Sequence, residues 1–119
     1  MGAVAIDINA NERKLEVMFP MDTREGIETF LEHYTYLKEL MYFSGDYDAL
    51  IMVVDFEDAF ANCGLTDAER LIIQKVFIED MKRVDIAKQL GVTKQTVQVW
   101  INRSTEKLAN YYKEVEESE

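Results

Sequence analysis

Three side chains in this 119-residue sequence have the chemistry to read the edges of bases. Lys94, Gln95 and Gln98 follow Thr93 closely, and the spacing predicts that they stand on the outer face of a helix, opposite apolar Val97 and Ile101. A glutamine can pair bidentately with adenine and a lysine can donate to guanine, each good bidentate contact adding about 1–3 kcal/mol of discrimination. Thr93, Thr96, Asn102 and Arg103 suit phosphate oxygens, and Lys82, Arg83 and Lys88 could hold the same backbone from a preceding helix.

Those residues need two helices and a tight turn to position them. The stretch from Met81 to Tyr112 provides both. A short helix is predicted over about Arg83 to Leu90, with Ile86, Ala87 and Leu90 inward. Gly91 supplies a left-handed turn at little steric cost. Val92 fills the angle between the helices, and Thr93 caps a longer helix whose inner face continues through Val97, Ile101 and Leu108. Trp100 is assigned to the core or its rim. This is the helix-turn-helix layout, in which the second helix lies in the major groove of DNA.

The charge distribution agrees, although the chain as a whole carries −10. Residues 82–113 hold seven Lys/Arg against two acids, whereas residues 1–81 hold six against seventeen. Residues 114–119 add four glutamates. The basic island coincides with the helix-turn-helix, and the acidic remainder is expected to face away from DNA.

Elsewhere the chain reads as helical. Apolar residues make up 48%, enough for a core, and one Pro and five Gly leave long runs unbroken. One helix is predicted from Asp22 to Phe43, capped by Asp22 with Glu25 completing a capping box. A second runs from Asp46 to Asn62, with Leu50, Ile51, Val53, Val54, Ala59 and Phe60 as its apolar face. A third runs from Thr66 to about Ile78, opened by the capping box Thr66-Asp67-Ala68-Glu69. The aromatics Phe30, Tyr34, Tyr36, Tyr42 and Phe43 lack basic neighbours and are assigned to core packing or a protein interface. Residues 1–21 fit a short β-hairpin or a flexible arm ending at Pro20. The tail from Glu114 to Glu119 is expected to fray.

Other chemistry finds little support. Cys63 is the only cysteine and His33 the only histidine, so no metal-ligand cluster is expected. Cys63 is assigned as a small buried hydrophobe and His33 as a solvent-exposed helical residue. Asp55, Glu57 and Asp58 fan out around a helix, which makes them a solvated acidic face rather than a catalytic pair. No nucleophile–base pair or phosphate loop is present, so no enzyme and no cofactor are expected. The apolar run Ala49 to Val54 is too short to span a bilayer and no signal peptide is visible, so a cytoplasmic protein is expected.

Residues 65–108 resemble region 4 of the sigma-70 family of transcription initiation factors. The resemblance rests on Leu65-Thr66…Glu69, Ile86-Ala87…Leu90-Gly91-Val92-Thr93, Thr96-Val97, Ile101, Arg103 and Lys107-Leu108. From Tyr42-Phe43-Ser44-Gly45-Asp46 through the acidic helix, the chain is similar to small sigma-like regulators of phages and prophages. Two positions depart: Lys82 stands where the family usually caps with Ser or Thr, and Trp100 replaces a smaller or more polar residue. No segment resembles sigma region 2, so a complete sigma factor is not expected. The resemblance implies that Lys94, Gln95 and Gln98 read bases in double-stranded DNA. It also implies work at promoters with RNA polymerase. The expectation is an all-α helical bundle in four parts. Residues 1–21 are the arm. Residues 22–63 are an acidic helical region for interaction or homodimer formation. Residues 64–113 are the helix-turn-helix, and residues 114–119 are the acidic tail. The alternative is an interaction module that mimics region 4 and binds polymerase or another regulator without specific DNA binding.

Overall fold

A computed structural model describes residues 19–118; the hairpin or arm expected near the N-terminus falls largely on residues outside this range. Among the described residues there are six α-helices and no strand. They are α1 (Arg24–Glu32), α2 (Tyr34–Ser44), α3 (Tyr47–Asn62), α4 (Asp67–Ile73), α5 (Arg83–Leu90) and α6 (Lys94–Ser118), with a π-helical turn over Gln74–Ile78 directly after α4.

The predicted first helix is two helices. Its cap is Thr23 rather than Asp22, because the Thr23 hydroxyl accepts the Gly26 N–H at 3.0 Å while the Thr23 N–H and hydroxyl both donate to the Pro20 carbonyl. That carbonyl lies so close to α1 that a Cβ on Gly26 would sit 1.9 Å from its oxygen, so only glycine fits there. The helix then breaks at His33, whose backbone (φ −105°, ψ 7°) leaves the α region and whose N–H tightens onto the Phe30 and Leu31 carbonyls. The His33 imidazole Nδ1 lies 2.8 Å from the Thr29 carbonyl, and its ring packs 5.6 Å from that of Phe19. His33 is therefore half-buried, not the exposed residue expected.

Gly45, at φ 64°, turns the chain into α3, which Asp46 caps by accepting the Ala49 N–H at 2.9 Å. The buried face of α3 is Ala49, Val53, Phe56 and Ala59. Leu50, Ile51 and Val54, expected in the core, face solvent with Tyr47. The N-terminal half of this helix is apolar nearly all round, and periodicity then cannot choose an inner side. Cys63 ends α3 and is half-buried against the core, where a buried position was expected.

Two apolar clusters result. The larger joins Phe19, α1, α2 and α3 to Ile73, Leu108 and Ala109, with Phe30 and Phe56 rings 4.9 Å apart. At its edge the Tyr34 hydroxyl donates to Glu57 at 2.8 Å; burial first, and then that carboxylate, push the phenol up. The smaller cluster is Ile72, Val76, Ile86, Ala87, Val97 and Ile101, and half-buried Trp100 sits on its rim as predicted. Phe77 packs on both clusters, and α6 contributes to both: Val97 and Ile101 to one, Leu108 and Ala109 to the other. The helix does not end at Glu114 but continues to Ser118.

One polar contact locks α4 to α6. The capping box at Thr66 forms as predicted, with the Glu69 N–H on the Thr66 hydroxyl at 3.2 Å and the Thr66 N–H on Glu69 Oε1 at 2.9 Å. The same Oε1 takes the Lys107 ammonium at 2.7 Å. The Glu69 side chain is only 4% exposed. Burial alone would raise its carboxyl, but the hydrogen bonds from Lys107 and Thr66 outweigh burial and hold it below the ordinary glutamate range.

A lowered folded-state value means that the stabilisation is complete above the unfolded-state value, about pH 4.3, and disappears as pH falls through the folded value. Glu69→Gln should therefore cost about 1–3 kcal/mol in urea unfolding at pH 7. Its deficit against the wild type should shrink below about pH 4.

Candidate nucleic-acid interface

The interface is built around the α5–α6 corner. Gly91 at the end of α5 has φ 71° and ψ 33°, the left-handed conformation read from the sequence. A Cβ there would meet nothing within 4 Å, so the demand for glycine is conformational rather than spatial. Both the Gly91 and Val92 N–H groups turn back onto the Ala87 carbonyl, which aims the chain into α6. Thr93 caps that helix, its hydroxyl accepting the Thr96 N–H at 3.1 Å and lying 2.9 Å from the Thr96 hydroxyl. The first turn of α6 holds no acid, so the positive end of the helix dipole is not neutralised by a neighbouring carboxylate.

At the start of this helix Lys94 and Gln95 stand out into solvent. Gln98 does not share that exposure. It lies half-buried on the flank facing α5, not opposite the core stripe, and both ends of its amide are engaged. The Arg83 Nε–H donates to Gln98 Oε1 at 3.0 Å, and Gln98 Nε2 donates to Asn102 Oδ1 at 2.9 Å. The sequence separated these three residues into base and phosphate roles, whereas the fold brings them into one hydrogen-bonded chain across the corner. Lys82, Lys88 and Arg103 are exposed, as is Thr93, and Thr96 is half-buried. Lys107 is held by Glu69 and the Gly64 carbonyl, so its charge is directed inward to the α4 junction.

One residue was not singled out from the sequence. Val99 is 44% exposed on α6, one turn beyond Gln95 and one turn before Arg103. The signal was present, since Val99 is an apolar residue off the Val97–Ile101–Leu108 stripe.

The remaining chemical candidates stay apart. Among the described residues no group of His, Cys, Asp and Glu is placed to hold a metal ion. Glu57 is occupied by Tyr34 and Lys38, and Asp58 by Asn62 and Tyr111; both carboxylates are on exposed residues. Burial pushes the Cys63 thiol up, away from the nucleophilic thiolate. No helix among the described residues is long and apolar enough to cross a membrane.

Residues 63–108 match the family model described as Sigma-70, region 4. The segment is similar to sigma region 4 and forms a helix-turn-helix; the likeness suggests a DNA-binding, transcription-related domain. Domains of this kind bind both DNA and RNA polymerase. No curated protein and no solved structure matches the chain significantly. The match begins at the C-cap of α3 and ends at Leu108, so the Glu69–Lys107 pair ties its two ends together.

The departure at Lys82 has a local consequence. Lys82 occupies the cap position of α5 with extended backbone (φ −71°, ψ 143°) and gives no side-chain cap. Lys82→Ser should supply the missing acceptor and stabilise the fold by about 1 kcal/mol, measured by thermal or urea unfolding.

Proposed function

We propose that this protein is a sequence-specific DNA-binding transcription regulator that acts at promoters beside RNA polymerase, with α6 entering the major groove. The observation that carries this reading is the first turn of α6. It is exposed, basic and free of acids, and it lies inside the segment that matches region 4. Lys94 and Gln95 reach base edges directly. Gln98 reads beside them, and its contacts with Arg83 and Asn102 hold the amide in one orientation before DNA arrives, which limits the rotamer entropy lost on binding. Val99 meets the 5-methyl group of thymine. Thr93, Thr96, Lys82, Lys88 and Arg103 hold phosphates, and the N–H groups at the start of α6 add to them. Arg83 and Asn102 join the backbone contacts through the Arg83 Nη and Asn102 Nδ2 donors, which the Gln98 contacts do not use.

In this reading residues 64–113 form the DNA-binding part. Residues 22–63 are the part that meets a protein, either RNA polymerase or a second copy. The similarity of the Tyr42–Asp46 turn and the acidic helix to small phage and prophage regulators supports an origin of that kind. The engagement of both ends of Gln98 favours a second reading, a module that mimics region 4 and binds polymerase without specific DNA contacts.

Selection of bound fragments from a random double-stranded pool separates the two. The DNA reading requires one enriched sequence, with affinity that falls steeply as salt rises. Gln95→Ala and Gln98→Ala should each lose about 1–3 kcal/mol of discrimination at one base position. Arg103→Ala should weaken all sequences alike and lower the salt slope by about one. Firm binding to polymerase with no enriched DNA would establish the module instead.

A further inference from the structure

The outer side of α3 is the least expected surface of the molecule. Tyr47, Leu50, Ile51 and Val54 recur at positions i, i+3, i+4 and i+7, which is one stripe of a helix. All four are exposed, at 70%, 36%, 42% and 51%. Tyr42 and Phe43, just before the Gly45 turn, are exposed too, Phe43 at 85%. A helix with an apolar stripe on both sides is ordinarily buried on both, and contiguous exposed apolar surface of this kind marks an interaction site.

The surroundings say what covers it. From Tyr34 to Asn62 there is one lysine, Lys38, against six carboxylates: Glu39, Asp46, Asp48, Asp55, Glu57 and Asp58. Lys38 is already placed on Glu57 at 3.7 Å. Beside Ile51 a groove of about 470 Å³ opens between α3 and the end of α6, with Asp22, Asp55 and Glu116 on its walls. A second copy of this chain would set acids against acids across a two-fold axis, and like charges at an interface suppress pairing. DNA is repelled for the same reason. A partner with the opposite sign is complementary.

We propose that the stripe Tyr47, Leu50, Ile51 and Val54 docks an amphipathic helix of another protein whose apolar face is bordered by lysine and arginine. The partner's apolar residues pack on the stripe helix against helix. Its cations lie over the Asp48 and Asp55 rims, and one enters the carboxylate-lined groove. This inference rests on the reading of residues 22–63 as the protein-contacting part and is independent of the DNA reading.

The test uses the full chain and three synthetic helical peptides. One carries a leucine stripe bordered by lysines, one the same stripe bordered by glutamates, and one the lysine peptide with its order scrambled. The lysine-bordered peptide should bind about tenfold or more tighter than either control, and its affinity should fall with salt. Chemical-shift changes should centre on Tyr47, Leu50, Ile51 and Val54. Ile51→Glu, at an exposed position that leaves the core untouched, should weaken binding about tenfold. Asp55→Lys, which changes only the rim charge, should flatten the salt dependence. Both variants should keep the DNA affinity of the parent, so a failure here and a failure of the DNA reading are separately visible. Equal binding of the lysine and glutamate peptides overturns the proposal, as does equal binding of the scrambled peptide. So does a dimer in sedimentation that Ile51→Glu dissociates, which would give the stripe to a second copy. A stripe that a paramagnetic solvent probe cannot reach in the free monomer would also overturn it.

Discussion

The Glu69 carboxylate is almost entirely out of water, and the groups around it are arranged to keep it charged. One oxygen takes both the Thr66 N–H and the Lys107 ammonium. Breaking such a pair costs more than the pair itself contributes, because a lone buried charge is left behind. Its main effect is therefore geometric. It ties the capped start of α4 to α6, whose rotation is also held by buried Val97, Ile101, Leu108 and Ala109. The rotation of α6 then decides which side chains at its other end face outward. Lys94 and Gln95 stand exposed at the start of the same helix that carries Lys107.

Because α6 packs in both apolar clusters, the two parts of the molecule are not independently mounted. Val97 and Ile101 anchor the helix-turn-helix, while Leu108 and Ala109 sit in the core formed with α1, α2 and α3. Phe77 bridges the clusters at the π-helical turn. A helix that crosses two cores transmits load along its length. A partner on the acidic helices and a duplex at the start of α6 would thus share one rigid element.

Electrostatics divides the surface in the same way. The acids of α2 and α3 and the cations of α5 and α6 lie on different helices, and Lys107 is withdrawn from the basic set by Glu69. The net charge of −10 is compatible with a DNA interface because exposed charges more than about 10 Å apart are largely screened at 0.1 M salt. Local sign at the groove matters more than the total.

Much of the corner was legible in the residues. Gly91 fixes a left-handed turn, Thr93 caps α6, and Thr66 with Glu69 forms the capping box; each depends on residues no more than four apart. The inner stripes of α5 and α6 follow from period alone. The break at His33 was hidden because the apolar spacing continues through it. The inner side of α3 was hidden because its first two turns are apolar on both faces. The Arg83–Gln98–Asn102 chain depends on the angle between two helices, which no spacing within either one encodes. The Glu69–Lys107 pair joins residues 38 apart, and only the packed tertiary structure brings them within 2.7 Å. What the sequence determined by itself were the Gly91 turn and the caps at Thr66 and Thr93, each made by neighbours along the chain. What the tertiary structure alone decided was every contact whose partners meet through packing, including the one that ties α6 to α4.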